Sequence, residues 1–372
     1  MKQRAKYVAK KLVLTGGHAA TTAMAVVEEI AKRKKNWDVH FIGPQRAMEG
    51  MNIPTLESVI YPKIGVSFQG LFTGRLQRHL TFWTIPSLMK IPFGILHAFY
   101  LLLKIRPDVV LSFGGFVGFP VVFCAWILKI PAVVHEQTSA VGRANKFSSY
   151  MADKIALSRK ESLKYFPSEK CVIVGNPILS KIAKVESRSE LVEPPTIYVT
   201  GGSRGSQVIN SKIREIINNL LKTYEVIHHT GFLDFEKFAD IKRGLPKNLS
   251  KRYEIHKVID PADINKIYKR ADIVIGRAGA NTVSEIIVTR RPAILIPFPF
   301  SYMDEQTGNA LFAQKFGIVK IIQQKDLSPK ILLATIKDIK KSWKNMVRQS
   351  KKKVSPDIHA SRKLVDLLEE YI

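Results

Sequence analysis

Cysteine is nearly absent: Cys124 and Cys171 are the only two in 372 residues. That excludes a disulfide framework and leaves no thiolate cluster for structural zinc or an iron–sulfur centre. Acidic residues are also scarce, 31 Asp+Glu against 58 Lys+Arg, for a formal net charge of +27. An excess of that size implies an anionic partner, whether nucleic acid, membrane or phosphate. There is no D-x-D and no H-E-x-x-H, so no obvious carboxylate or histidine pair for a catalytic metal. The basic N-terminus, residues 1–11, runs into Leu12–Leu14 and then glycines rather than an unbroken apolar stretch, so no signal peptide is readable. Val109–Leu128 carries no charged residue and approaches bilayer-spanning length, but Gly114, Gly115, Gly118 and Pro120 interrupt it. It reads better as a buried strand feeding a loop and a helix.

What is present, 46% hydrophobic residues, is too apolar for disorder and too long for one ordinary core. Strand-like runs alternate with helical patterns at Lys11–Leu14, Val39–Ile42, Val109–Leu111, Ala132–Val134, Ile155–Leu157 and Cys171–Val174. A second series follows at Thr196–Thr200, Glu225–His228, Tyr253–Lys257, Ile273–Ile275, Ala293–Ile296 and Ile318–Ile321. Such alternation predicts two doubly wound α/β domains, each a mostly parallel sheet with helices on both faces. The expected domains are 1–178 and 196–345, joined by a charged, proline-bounded linker at 179–195 and facing a cleft. The segment Lys337–Lys353 is dense in lysine, which reads as a solvated helix face or as contact with phosphate or lipid, and the basic, helical tail 346–372 is expected to pack back on the first domain.

Both halves open with a strand running into a Gly-Gly turn, where open α/β sheets bind ligands. In Thr15-Gly16-Gly17-His18 the glycines allow close backbone approach to an anion, although the full dinucleotide and P-loop spacings are missing. His18 there is either an ordinary turn residue or a general base suited to neutral pH. Thr200-Gly201-Gly202-Ser203-Arg204-Gly205-Ser206 suits a diphosphate, with Ser203 on a phosphate oxygen. The densest signal is Gly276 to Glu285, a strand end opening a helix: its N–H groups would face a diphosphate, and Glu285 would accept hydrogen bonds from a ribose or sugar diol. His135-Glu136-Gln137-Thr138 and Asp304 to Asn309 are polar clusters at strand ends, readable as sugar-binding or as loop scaffolding.

In this order, with Phe113-Gly114-Gly115-Phe116-Val117, Gly175-Asn176-Pro177 and Gln306, these motifs resemble the bacterial MurG family over nearly the whole chain. Those peripheral membrane glycosyltransferases add N-acetylglucosamine to lipid I and so make lipid II for peptidoglycan. The resemblance implies a GT-B fold with the donor, UDP-N-acetylglucosamine, held mainly by the C-terminal half. It implies Thr15, Gly16, Gly17 and Thr138 beside the donor, Ser203 on a phosphate and the Ile259 backbone on the uracil. It further implies Ala280, Asn281, Thr282, Val283, Ser284 and Glu285 around diphosphate and ribose, Gln306 on the N-acetylglucosamine and His18 as base. Gly114, Gly115, His135 and Glu136 would serve the acceptor side. No cofactor or metal is implied.

Three positions depart from the family pattern: Thr138 stands where Asn is usual, Leu179 where Arg is usual, and Glu305 where the first of two glutamines is usual. Leu179 cannot offer a guanidinium to the nucleotide. A polyprenyl-linked acceptor requires contact with the membrane. The segment Phe82, Trp83, Ile85, Leu88, Met89, Ile91, Phe93, Ile95, Leu96, Phe99 and Tyr100, flanked by Arg75, Arg78, Lys90 and Lys104, reads as an apolar docking patch for an anionic surface or as a buried helix. The expected location is the cytoplasmic face of the bacterial membrane, peripherally bound. Alternatives are a glycolipid synthase using another UDP-hexose and a diacylglycerol-type acceptor, and a UDP-N-acetylglucosamine 2-epimerase-like isomerase. A nucleic-acid binder would need basic residues interleaved with stacking aromatics, whereas these aromatics cluster with aliphatics, so no nucleic acid is expected as partner.

Overall fold

The computed structural model describes residues 9–17, 20–46, 55–74, 84–202 and 205–372. The chain divides into two compact units, Met1–Pro177 with His359–Ile372, and Ile178–Ile358.

In the first unit, seven strands form one parallel sheet: β1 (Lys10–Thr15), β2 (Trp37–Pro44), β3 (Ser67–Leu71), β4 (Val109–Ser112), β5 (Ala132–Glu136), β6 (Lys154–Leu157) and β7 (Cys171–Ile173). Their order is β3-β2-β1-β4-β5-β6-β7. β4 and β5 are buried along their whole length, as their apolar composition requires of central strands covered on both faces. β3 is absent from the sequence reading. It is a short edge strand containing Gly70, half-buried, and carries too few apolar residues to register as one.

The second unit repeats the plan with β8 (Thr196–Thr200), β9 (Glu225–His229), β10 (Tyr253–His256), β11 (Ile273–Gly276), β12 (Ala293–Leu295) and β13 (Val319–Ile321), ordered β10-β9-β8-β11-β12-β13 and all parallel. In each sheet the order reverses between two central strands, β1/β4 and β8/β11. Open α/β sheets bind ligands at such a switch point, beside the carboxyl ends of the two strands.

Two expectations of layout are corrected. The expected linker 179–195 is part of the second unit: Leu179, Ile182 and Val185 are buried, and Arg188 reaches Asp272 at 2.6 Å. The expected tail 346–372 is divided. Its beginning completes the helix Pro329–Lys351, whose stripe Leu332, Ile336, Ile339, Trp343 and Val347 lies in the second unit's core, with Lys337, Lys341 and Lys344 on the solvent side. Only the last helix, Ala360–Glu369, joins the first unit, where it packs on Ala20–Lys32. Arg33 ties that contact, bonding Glu29 at 2.9 Å and Asp366 and Glu369 at 2.8 Å.

Val109–Leu128 is β4, a Gly-Gly turn and the helix Gly115–Ile127. Among the described residues no helix is long and apolar enough to cross a membrane. The helix Thr84–Ile105 has two faces. Ala98, Leu101, Leu102 and Ile105 enter the core, with Ile95 and Phe99 packed against it. Ile85, Met89, Phe93, Leu96, Tyr100 and Leu103, spaced three and four residues apart, form an exposed stripe. Phe82, Trp83, Arg75 and Arg78 lie outside the described residues.

Candidate active site

At the first unit's switch point, the turn after β1 leans on the turn after β4. Gly17 N–H donates to the Gly114 carbonyl at 3.1 Å, and Phe113 N–H to the Thr15 carbonyl at 2.8 Å. Gly115 has φ +79°, and a Cβ there would stand 2.9 Å from Gly17 N, so only glycine allows the two turns to touch. Thr15 is fully buried, its hydroxyl lacking a hydrogen-bond partner among the described residues. His18, the expected base, follows this turn and lies outside the described residues.

His135 and Glu136, expected on the acceptor side, are turned inward. His135 is fully buried, with Nε2 3.0 Å from the Gly175 carbonyl oxygen and its ring edge-on to Phe113. Glu136 accepts four bonds: Thr138 N–H at 3.1 Å and its hydroxyl at 2.9 Å on Oε1, Gly142 N–H at 3.0 Å and Asn145 Nδ2 at 2.9 Å on Oε2. A carboxylate so occupied shapes its own loop and has no capacity left for a sugar hydroxyl. Thr138 spends its hydroxyl proton on the same carboxylate. Asn145, which sequence reasoning missed, carries this order to the neighbouring turn: its Oδ1 would lie 2.3 Å from a Cβ at Gly114, whose φ is +78°. Nothing in the local sequence marks that contact.

At the second unit's switch point, Gly202 N–H donates to the Thr200 hydroxyl at 3.1 Å and Gly205 N–H to the Gly202 carbonyl at 3.0 Å, curling the loop ahead of the helix Gln207–Leu220. Ser203 and Arg204 lie outside the described residues. After the neighbouring strand β11, Gly279 caps the helix Ala280–Thr289, whose first-turn N–H groups have no intrahelical acceptor. The expected set 280–285 divides here. Val283 and Ser284 are buried, Val283 in the core with Ile286 and Ile287, so both can offer a ligand only backbone. Ala280, Asn281, Thr282 and Glu285 remain partly exposed.

Burial pushes the Glu285 carboxyl up to about 7 even though the Tyr268 hydroxyl donates to its Oε2 at 3.0 Å. Gln306 accepts Phe298 N–H on Oε1 at 3.0 Å, which leaves its amide N–H groups for a ligand. Met303 and Asp304, both at φ near +50°, form the strained approach to it. Ile259, on the loop after β10, makes no backbone hydrogen bond among the described residues.

Arg277 binds the walls together. Its guanidinium donates to Ser206 Oγ at 3.1 Å, the Ile296 and Pro297 carbonyls at 3.1 and 3.3 Å, and Gln324 Oε1 at 2.7 Å, and it lies over the Phe298 ring. No carboxylate is among these partners, and burial lowers the group to about 10, still ionised at neutral pH. A buried cation beside a glycine turn and a helix N-terminus favours an anionic ligand there.

Profiles for the glycosyltransferase family 28 N-terminal and C-terminal domains match residues 15–157 and 196–368. The UDP-N-acetylglucosamine–N-acetylmuramyl-(pentapeptide) pyrophosphoryl-undecaprenol N-acetylglucosamine transferase of Halalkalibacterium halodurans is 34% identical over 87% of this chain and 88% of its own. Its namesake from Bacillus cytotoxicus is 32% identical over 96% of both. The crystal structure of Acinetobacter baumannii MurG superposes with a TM-score of 0.67 at 23% identity, covering 97% of this chain and 99% of that one. The chain therefore belongs to glycosyltransferase family 28 and, within it, to the MurG family, its two parallel-sheet units being the two domains of a GT-B fold.

Proposed function

We propose that the chain moves N-acetylglucosamine from UDP-N-acetylglucosamine to the C4 hydroxyl of the N-acetylmuramic acid of lipid I, with inversion, forming lipid II. The observation that carries this reading is the identity across both domains with transferases so named. It favours the lipid I acceptor over the diacylglycerol alternative.

In the transfer, His18 takes the proton of the C4 hydroxyl as that oxygen bonds to the anomeric carbon. The bond from that carbon to the diphosphate oxygen breaks, and UDP departs with the electron pair from the opposite face. The transition state is oxocarbenium-like, so departing charge needs stabilisation in place before the bond breaks. We assign it to the N–H groups of the Gly201–Ser206 loop and of the Ala280–Thr289 helix, with Ser203 on a phosphate and the Arg277 cation behind them. No metal ion is assigned a part. Thr15, Gly16 and Gly17 are assigned to the donor sugar and diphosphate, Ile259 to the uracil, Glu285 to the ribose hydroxyls and Gln306 to the N-acetylglucosamine.

We assign the exposed stripe Ile85, Met89, Phe93, Leu96, Tyr100 and Leu103 to membrane contact at the cytoplasmic face. Lys90 and Lys104 on the same helix would add ~1 kcal/mol each at an anionic surface. Replacing Met89 and Phe93 together by serine removes two apolar anchors and no core contact. Cosedimentation with anionic vesicles is expected to fall at least ~tenfold while the melting temperature holds; undiminished binding would place the membrane surface elsewhere.

The function itself is tested by mass spectrometry of products from a short-chain lipid I analogue with equimolar UDP-N-acetylglucosamine, UDP-glucose and UDP-galactose. The expected product is heavier by one N-acetylhexosamine. Hexose transfer to diacylglycerol instead would keep the fold and overturn the substrates.

A further inference from the structure

We propose that Tyr268 is a positioning residue for the donor: its hydroxyl holds Glu285 Oε2, so that Oε1 is the oxygen presented to the vicinal hydroxyls of the nucleotide sugar. The proposal rests on the reading of Glu285 as a ligand of UDP-N-acetylglucosamine and goes beyond it by naming what sets that carboxylate's orientation and charge.

The geometry is rigid on the tyrosine side. Tyr268 is fully buried at the end of the helix Ile264–Arg270, 17 residues from Glu285. Its ring meets Tyr198 of β8 edge-on, with centroids 5.8 Å apart. Its own carbonyl accepts Arg291 Nε at 2.9 Å. Burial and the neighbouring carboxylate raise its phenol well above the ordinary range, so it remains a donor at every working pH. Glu285, by contrast, is only part-buried, and among the described residues no other side chain bonds its carboxylate. Oε2 is anchored, and Oε1 has no hydrogen bond among the described residues.

The charged surroundings offer no substitute. Arg291, near the end of the Glu285 helix, spends its guanidinium on the carbonyls of Tyr268, Thr289 and Glu186. The helices packed against the Glu285 helix are Ser180–Ala183, carrying Lys181, and Glu305–Gln314, carrying Glu305. Neither supplies a bond to Glu285. Tyr198 is buried and protonated. Among the described residues Tyr268 is thus the one side-chain donor that favours the ionised carboxylate.

The direction of the pH effect follows. The ionised form accepts hydroxyl protons on both oxygens; the protonated form has lost part of that capacity. Donor affinity in the unaltered protein should therefore weaken as pH falls through about 7. Removing the phenol donor should move that midpoint upward.

Calorimetric titration of the full-length protein with UDP-N-acetylglucosamine between pH 6 and 8.5 tests this, since in that range the diphosphate diester stays ionised and the uracil N3–H stays mostly protonated. Tyr268→Phe removes one oxygen and no ring volume, so the core packing is kept. At pH 7 it is expected to weaken binding at least ~tenfold, to raise the midpoint, and to lose less affinity at pH 8.5. In a Glu285→Gln background, the same Tyr268→Phe change should add nothing further. Equal losses in both backgrounds, an unmoved midpoint, or flat affinity across the range in the unaltered protein would each overturn the positioning role. Failure of the unaltered protein to bind UDP-N-acetylglucosamine at any pH would instead overturn the underlying reading of the donor.

Discussion

His18→Ala is expected to lower kcat by ~10² to 10⁴-fold, the range for loss of a positioned general base, while UDP-N-acetylglucosamine still binds. An alcohol is a poor nucleophile until its proton has somewhere to go, and a neutral imidazole with an ordinary value near ~6.5 accepts it at working pH. The turn that carries His18 is defined by its neighbours: Gly17 is bonded to Gly114, Gly115 is pressed against Gly17, and Asn145 and Glu136 lie behind Gly114. Kinetics separate this residue from Glu285. At saturating donor the loss in His18→Ala should appear in kcat. The donor KM should carry the pH dependence belonging to Glu285, near 7. Unchanged kcat in His18→Ala would remove it as the base.

Gly201→Ala is expected to reduce kcat/KM for the donor by ~10²-fold, the scale on which a displacement of about 1 Å at a reacting centre is felt. A Cβ at position 201 would lie 2.1 Å from Ser206 N and 2.2 Å from the Gly205 carbonyl carbon. Both are backbone atoms, so the loop itself must open. Its movement takes with it Ser206, the acceptor of Arg277 Nε, and so disturbs the clamp that also holds Ile296, Pro297 and Gln324. Because the loop leaves the carboxyl end of the central strand β8 and Gly201 and Gly202 are only part-buried, the cost should appear in donor binding more than in unfolding. Gly244→Ala is the control: its nearest neighbours would be carbonyl oxygens at 3.7 and 3.8 Å, ordinary contact, and activity should hold. Parity between the two variants in kcat/KM would show that the Gly201 loop does not hold the donor.

The two sheets were legible because parallel central strands are buried on both faces and therefore read as continuous apolar runs. β3 escaped because an edge strand needs no such run, and Leu179 to Val185 escaped because three apolar side chains among charges look like a linker until a core is present to receive them. The glycine turns were legible too, since φ values near +79° at Gly115 and Gly202 leave little choice of residue.

Sequence alone therefore determined the two α/β domains, the four strand-end turns and the family. These rest on local periodicity and on residue types that only one backbone conformation tolerates. Tertiary structure alone decided which polar side chains are engaged within the protein itself. His135 and Glu136 turn inward, Val283 joins the core, Arg277 clamps three loops, and Tyr268 holds Glu285. The physical reason is that a polar side chain's role depends on its partner, and the partners of Tyr268 and Arg277 stand 17 to 71 residues away. Strand order brings them together, and nothing in the residues beside them records it.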